Sequence, residues 1–436
     1  MSTINKVHLN ADALPFGWRR VRLGEIGFAY SGLSGKSKED FGSGSLYVPY
    51  KNVFSNTFLN ITNLEQVEVK PNESQNKVRL GDILLTISSE TPEEVGMSTV
   101  VDTDVTQVLY LNSFCFGFRP TTKCLDVRYS GYAFRSSHMR RRLIFLAQGS
   151  TRFNISKGRV LEIELPIPPL QEQEKIAAIL KSVDDKLDVI ARKIAAAQTL
   201  KQGLMQTLFS QGIGTQNTDG CWVLHTEFKD SELGKVPLGW SVLPLGAIAK
   251  ECRTRNGGNL DDALLCGVLK DQGLVPMRER VKGASTDRCR LVESGGFAYN
   301  PMRINIGSIA RNLRDHAVMV SPDYVVFSAK PEVLLSAYLD HFRRSDAWQQ
   351  FVGRSGDGGV RIRIYFDDLA QLKMKVPPLN EQTRIVEVLD CMSDKLNHLK
   401  TMQSKFDDLK RGLMQKLLTG QLRVSLIPSQ ETSLAA

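Results

Sequence analysis

Pro168-Pro169-Leu170-Gln171-Glu172-Gln173 and Pro377-Pro378-Leu379-Asn380-Glu381-Gln382 open two copies of one 43-residue cassette, 209 positions apart and aligned without a gap. Both copies carry Asp-Lys-Leu midway (Asp185 to Leu187, Asp394 to Leu396) and close on Gly-Leu-Met-Gln (Gly203 to Gln206, Gly412 to Gln415). The paired prolines fix where each helix starts, because proline is tolerated only before or within the first turn. Gly203 and Gly412 each cost about 1 kcal/mol in a helix interior. Their recurrence at equivalent positions is consistent with close packing or a bend there, and equally with drift in a duplicated sequence.

Apolar residues of the first copy fall at Ile176, Leu180, Val183, Leu187, Ile190, Ile194, Ala197, Leu204 and Leu208, in steps of 4 and 3 until Lys201 interrupts. In the second they fall at Ile385, Leu389, Met392, Leu396, Leu399, Phe406, Leu413 and Leu417, with Gln403 and Lys410 as polar interruptions. This is the heptad pattern of a coiled coil. At 1.5 Å per residue each helix is about 60 Å long, and neither buries its seam alone. Two matching seams in one chain pair most simply with each other. An antiparallel pair would relate the halves by an approximate two-fold axis; a seam that dimerises with a second chain is the competing arrangement.

A second level of repetition opens each half. Leu14-Pro15-Phe16-Gly17-Trp18 followed by Leu23-Gly24-Glu25-Ile26 matches Val236-Pro237-Leu238-Gly239-Trp240 followed by Leu245-Gly246-Ala247-Ile248. Between each Trp motif and its Pro-Pro lies a segment with little likeness to its counterpart. Short runs such as Ser45 to Tyr50, Asp82 to Ile87, Phe114 to Phe118 and Tyr324 to Phe327, bounded by Gly, Pro or Asn, predict strands. Tyr129 to Ala147 and Leu334 to Val352 have helical spacing. The expected class is α+β: two mixed α/β domains (1–165 and 236–374) separated by two long helices (166–212 and 375–424) paired as an antiparallel coiled coil. A linker (213–235) and a flexible tail (425–436) complete the division.

With 436 residues, two to four domains are expected. No run of 18 apolar residues occurs, and residues 1–12 lack the pattern of a secretory signal. The seven cysteines are scattered and never form Cys-x-x-Cys, so reduced thiols and a cytoplasmic location are expected. The net charge of +9 is concentrated early, with roughly +6 up to Leu161. A basic segment of this kind suits phosphates.

Catalytic patterns are missing. Gly32-Leu33-Ser34-Gly35-Lys36-Ser37 resembles a phosphate loop, but Tyr30 stands where Walker A needs its first glycine. Asn300-Pro301-Met302-Arg303 lacks the aromatic that would stack on a flipped base. Beside Pro322-Asp323, Ser328 replaces the second carboxylate a nuclease metal would need. The expectation is a chain that is not itself an enzyme and holds no metal or cofactor.

Taken together, two Pro-x-Gly-Trp-started variable segments alternating with two Pro-Pro-Leu-x-Glu-Gln helices resemble the specificity (S) subunit of Type I DNA restriction–modification systems. The stretch His225 to Gly234, the ending Leu418 to Val424 and Tyr47-Val48-Pro49-Tyr50-Lys51-Asn52-Val53 look like that family as well. The resemblance spans about Leu14 to Val424. It implies that 1–165 and 236–374 are target-recognition domains, each reading half of a bipartite, asymmetric double-stranded DNA site. It further implies methyltransferase (M) subunits, two of them, docked on the helices with S-adenosylmethionine. Restriction (R) subunits with ATP and Mg would accompany those systems that cleave.

Arg and Lys reach guanine edges or phosphates, and Asn reaches adenine. On that chemistry the DNA-binding candidates of the first domain are Lys36, Lys38, Lys51, Asn52, Arg152, Asn154 and Lys157. Those of the second are Arg253, Arg255, Asn256, Lys270, Arg303, Asn305, Arg311, Arg361 and Arg363. Arg140-Arg141-Arg142 reads as the wet face of a helix, and Tyr47 and Tyr50 as core. Two other readings compete: a standalone DNA-modifying enzyme, which would transfer methyl groups unaided, and a coiled-coil assembly protein, which would show no salt-dependent DNA binding.

Overall fold

The computed structural model describes residues 14–270, 272–277, 285–354 and 363–424; the candidate Arg361 and the expected tail at 425–436 lie outside them. The chain divides into two compact units, one comprising residues 1–191 and 402–436, the other 192–401. Each unit therefore holds one variable segment, the first part of the long helix that follows it and the last part of the other long helix.

The long helices run Leu170–Ser210 and Leu379–Leu417. Every seam position read from the heptads is buried or partly buried. In unit 1, Ile176, Ala177 and Leu180 of the first helix share a core with Leu417, against which Leu413 and Met414 pack. In unit 2, Met205, Leu208 and Phe209 share a core with Ile385 and Leu389. Both lysine interruptions are paired: Lys410 Nζ lies 2.6 Å from Asp184 Oδ1 in unit 1, and Lys201 Nζ donates to Ser393 Oγ at 2.6 Å in unit 2. Asp184 also accepts from the Tyr132 hydroxyl at 2.8 Å, which fastens a variable-segment helix to the long one. Burial and the Asp184 charge push the Tyr132 phenol well above its ordinary range.

Each variable segment is closed at its base by an antiparallel strand pair. Arg19–Arg22 pairs with Glu164–Ile167 in unit 1, and Ser241–Pro244 with Lys373–Val376 in unit 2. Above the base, unit 1 carries a four-stranded antiparallel sheet in the order Gly27–Ser31, Cys115–Pro120, Ile83–Thr86, Ser98–Val100. A three-stranded sheet sets Phe41–Val48 between Glu65–Val67 and, in parallel, Leu109–Leu111. Unit 2 has two four-stranded sheets, one ordered Ala249–Glu251, Val325–Ala329, Phe297–Tyr299, Ile309–Arg311. The other is ordered Gly273–Pro276, Leu265–Leu269, Val318–Val320, Arg290–Val292, again with one parallel pairing.

The helical stretches predicted at Tyr129 to Ala147 and Leu334 to Val352 are each split in two: Val127–Phe134 with Ser137–Leu146, and Ser336–Phe342 with Asp346–Arg354. Ser136 ends the continuity by capping the second helix, its hydroxyl accepting from Met139 N at 3.2 Å. Beside it Arg135 turns inward and donates to the carbonyls of Ser98, Val53, Phe54 and Asn56. Burial, with the Arg140 charge second, pushes this guanidinium down to about 10. Three-residue spacing cannot register a break that a serine cap and an arginine bridge impose from outside the helix.

Gly203 and Gly412 give no support to close packing: a Cβ built on either meets no atom within 4 Å. Gly203→Ala and Gly412→Ala are therefore each expected to stabilise the chain by about 1 kcal/mol, the helix-propensity difference. Urea unfolding followed by circular dichroism checks this; a lowered midpoint would show that the glycines serve a bend.

Candidate nucleic-acid interface

The two repeated motifs of the sequence meet in space. In unit 1 the Trp18 indole N–H donates to Glu172 Oε2 at 3.2 Å, and in unit 2 the Trp240 indole donates to Glu381 Oε2 at 2.7 Å. Both carboxylates are buried, which without compensation costs several kcal/mol. Unit 1 compensates with Arg423, whose Nε and Nη2 lie 2.7 and 2.8 Å from the two oxygens of Glu172. Unit 2 uses Ile213 N, Gly214 N and His225 Nε2, all within 3.1 Å of Glu381 Oε1. Gly212, at φ +76°, passes so close that a Cβ would overlap Glu381 and Trp240.

The neighbouring glutamines repeat a second contact set. Gln173 accepts from Asp126 N and donates to Cys124 O and Pro168 O, at 2.8 to 2.9 Å. Gln382 accepts from Leu335 N and donates to Val333 O and Pro377 O, each at 2.8 Å. Each long helix thus begins in a socket that its own variable segment builds, and the chain emerging from the other helix completes the carboxylate's coordination. The stretch 213–235, expected as a linker, is part of this strap and contains the hairpin Thr215–Gln216 with Trp222–Val223. Sequence reading found His225 and Arg423 only as parts of family-like stretches; nothing in their spacing to Glu381 or Glu172 marks them as partners.

The DNA-binding candidates separate by environment. Asn52 is fully buried, its amide donating to Asn60 O and Asn63 O at 2.8 Å while its oxygen accepts from Asn60 N. Asn256 is likewise buried and accepts from Leu260 N at 2.7 Å. Asn52, on the helix Tyr50–Ser55, ties down the stretch that follows it, Asn256 holds its own loop, and both leave the candidate set. Lys36 leaves as well, for its side chain is 3% exposed and ion-paired with Glu73 at 2.5 Å.

Lys38, Lys51, Arg152 and Asn154 are exposed on unit 1, while Lys157 is half-buried and donates to Ser31 Oγ. Arg253, Arg255, Lys270, Arg303, Asn305 and Arg363 are exposed on unit 2. Arg253 is ion-paired with Glu251 at 2.6 Å, and Arg311 is half-buried at the end of strand Ile309–Arg311. Of the arginine triplet, Arg141 and Arg142 are exposed, but Arg140 donates to Glu93 O and Val95 O and belongs to the scaffold. Tyr47 is buried; Tyr50 is half-buried and stacks on Phe54. Among the described residues no cluster of His, Cys, Asp and Glu could hold a metal ion, and no helix is long and apolar enough to cross a membrane.

Residues 15–199 match the family model for the Type I restriction modification DNA specificity domain. The MjaX type I restriction enzyme specificity subunit of Methanocaldococcus jannaschii is 24% identical, over 94% of this chain and 95% of its own length. The StySPI specificity subunit of Salmonella potsdam is 22% identical over 95% of this chain and 91% of its own. The solved Type I restriction–modification S subunit from M. genitalium shares the fold at a TM-score of 0.52 and 15% identity, covering 94% of this chain and 98% of that one. The chain is thus similar to the Type I specificity subunits, the family that its repeated motifs resemble.

Replacing Arg423 by alanine leaves the buried Glu172 with only the Trp18 indole as donor among the described residues. The expected cost is about 3 kcal/mol, the low end for a broken buried pair because Arg423 itself is a quarter exposed. Hydrogen exchange should report the loss in unit 1 and leave unit 2 protected.

Proposed function

We propose that this chain is the DNA-recognition subunit of a Type I restriction–modification complex, in which each unit's variable segment reads one half of a bipartite asymmetric site. The observation that carries the reading is the repeated socket. Two unlike segments are attached to two like helices through the same indole–carboxylate bond and the same glutamine contacts. Attachment is held constant while the exposed surface varies, as a subunit with two different readings requires.

We infer that the long helices pair antiparallel. The contacts Asp184 with Lys410 and Lys201 with Ser393 support this, since the residue numbers descend along one helix as they rise along the other. In this reading the helices set the number of unread base pairs and carry two methyltransferase subunits, which bring S-adenosylmethionine. Restriction subunits would add ATP, Mg and cleavage. The exposed basic residues Lys38, Lys51, Arg152, Arg255, Lys270, Arg303 and Arg363 remain the proposed DNA contacts.

The test is to express the chain with its genomic methyltransferase neighbour and map modified bases by single-molecule sequencing. A split motif with a fixed unread gap is expected; a short continuous motif would contradict the reading. Inserting four residues at Ala195 adds up to about 6 Å of helix, at most roughly 2 base pairs. Both half-sites should stay unchanged while the gap lengthens.

A further inference from the structure

Unit 1 contains a cleft of about 380 Å³ that neither the socket nor the helix seam uses. One wall is the helix Tyr50–Ser55, where the Tyr50 and Phe54 rings stack with centroids 6.0 Å apart. Phe114 lines the cleft with 56% of its surface exposed, unusual for a phenylalanine whose backbone is tied down through Ile87 N and Asn112 Oδ1. The third wall is the turn bearing Glu90 and Glu94. Arg152 lines the same cleft, brought there by the pairing of Phe153–Asn154 with Ser88–Ser89.

These walls are held in place before any ligand arrives. Tyr50 donates its hydroxyl to Ser88 O at 2.8 Å, and Ser89 Oγ donates to Glu94 Oε2 at 3.0 Å. Arg140 clamps the turn through Glu93 O and Val95 O, at 2.7 and 2.6 Å. The result is a rigid, aromatic-sided cleft carrying carboxylate acceptors and one guanidinium fork.

Carboxylates do not bind phosphate, so Glu90 and Glu94 add nothing to general attraction for DNA; the rest of this basic segment supplies that. What a carboxylate adds is discrimination. It accepts from the cytosine N4 amino group and repels the acceptor edges of guanine and thymine, whereas arginine donates to guanine O6 and N7. Resting on the reading of unit 1 as a DNA reader, we propose that this cleft specifies one C·G pair of the unit-1 half-site. Glu94, oriented by Ser89 and seconded by Glu90, accepts from cytosine, Arg152 donates to guanine, and Phe114 packs against the base edge. None of the three acidic or aromatic residues was among the candidates read from sequence, which took only cations and amides.

The experiment is motif mapping with the methyltransferase-bound chain carrying Glu94→Gln, Glu90→Gln/Glu94→Gln or Arg152→Ala, beside the unaltered chain. An amide both donates and accepts, so the glutamine variants should relax a C·G requirement at one position by about ten-fold, within the range of one base contact. That position lies in one half-site, and the other half-site should be untouched. An unchanged motif, or a change confined to the half-site read by unit 2, overturns the proposal. If a variant modifies nothing in cells, its complex is tested by selection from duplexes randomised across both half-sites. Relaxed selection at one C·G pair supports the proposal; strict selection, or no enrichment anywhere, overturns it. Absence of a split motif with the unaltered chain would instead sink the reading of the two units as DNA readers.

Discussion

A buried carboxylate at the first turn of each long helix governs how this chain is built. Glu172 and Glu381 sit where water does not reach, and each is tolerable only because an indole N–H and further donors surround it. Those donors come from two separate stretches, the start of the variable segment and the chain that emerges from the other helix, while the helix itself brings the carboxylate. Removing any one leaves charge or polar atoms stranded, a loss larger than most single side-chain contacts supply. The requirement therefore holds fixed the Trp motif, the Pro-Pro-Leu-x-Glu-Gln start and the closing strap, and leaves the sheets above them free to differ.

The two sockets solve the same electrostatic problem with different donors. Unit 1 uses a permanently charged arginine in a bidentate arrangement, the geometry that best satisfies a carboxylate. Unit 2 uses a histidine and two backbone N–H groups, and needs Gly212 in a left-handed conformation to bring them near. Likeness of the two halves lies in what is satisfied rather than in which residues satisfy it. That is why alignment of the halves finds the tryptophans and glutamates but passes over Arg423 and His225.

The long helices were legible because a period of 3.5 residues survives in a list of letters, and the buried seam falls on the residues it marks. The split of Tyr129 to Ala147 was not legible in the helical spacing, since Arg135 there turns to carbonyls far off in sequence while Ser136 caps a new helix. Composition misled in a specific way at Asn52, Asn256 and Lys36. Asparagine and lysine among polar stretches read as reach toward a ligand, yet here they satisfy nearby carbonyls, amide N–H groups and a glutamate. Exposure and prior hydrogen-bond commitment decide which polar residues are available, and neither is written in the sequence. The same blindness hid the cleft of Tyr50, Glu94 and Phe114, whose parts lie on three separated stretches.

On the proposed function attachment is constant and reading is modular, and exchange of a variable segment puts that to the test. The segment between Leu23 and Ile163 would be replaced by its counterpart from a relative whose modified motif has been mapped, leaving Trp18, Glu172, Gln173 and Arg423 in place. Sequencing of modified bases should then return a split motif with one half-site taken from the donor, the other unchanged and the gap preserved. A motif altered in both halves, or a changed gap, would contradict the account by showing that the socket does not insulate one reader from the other.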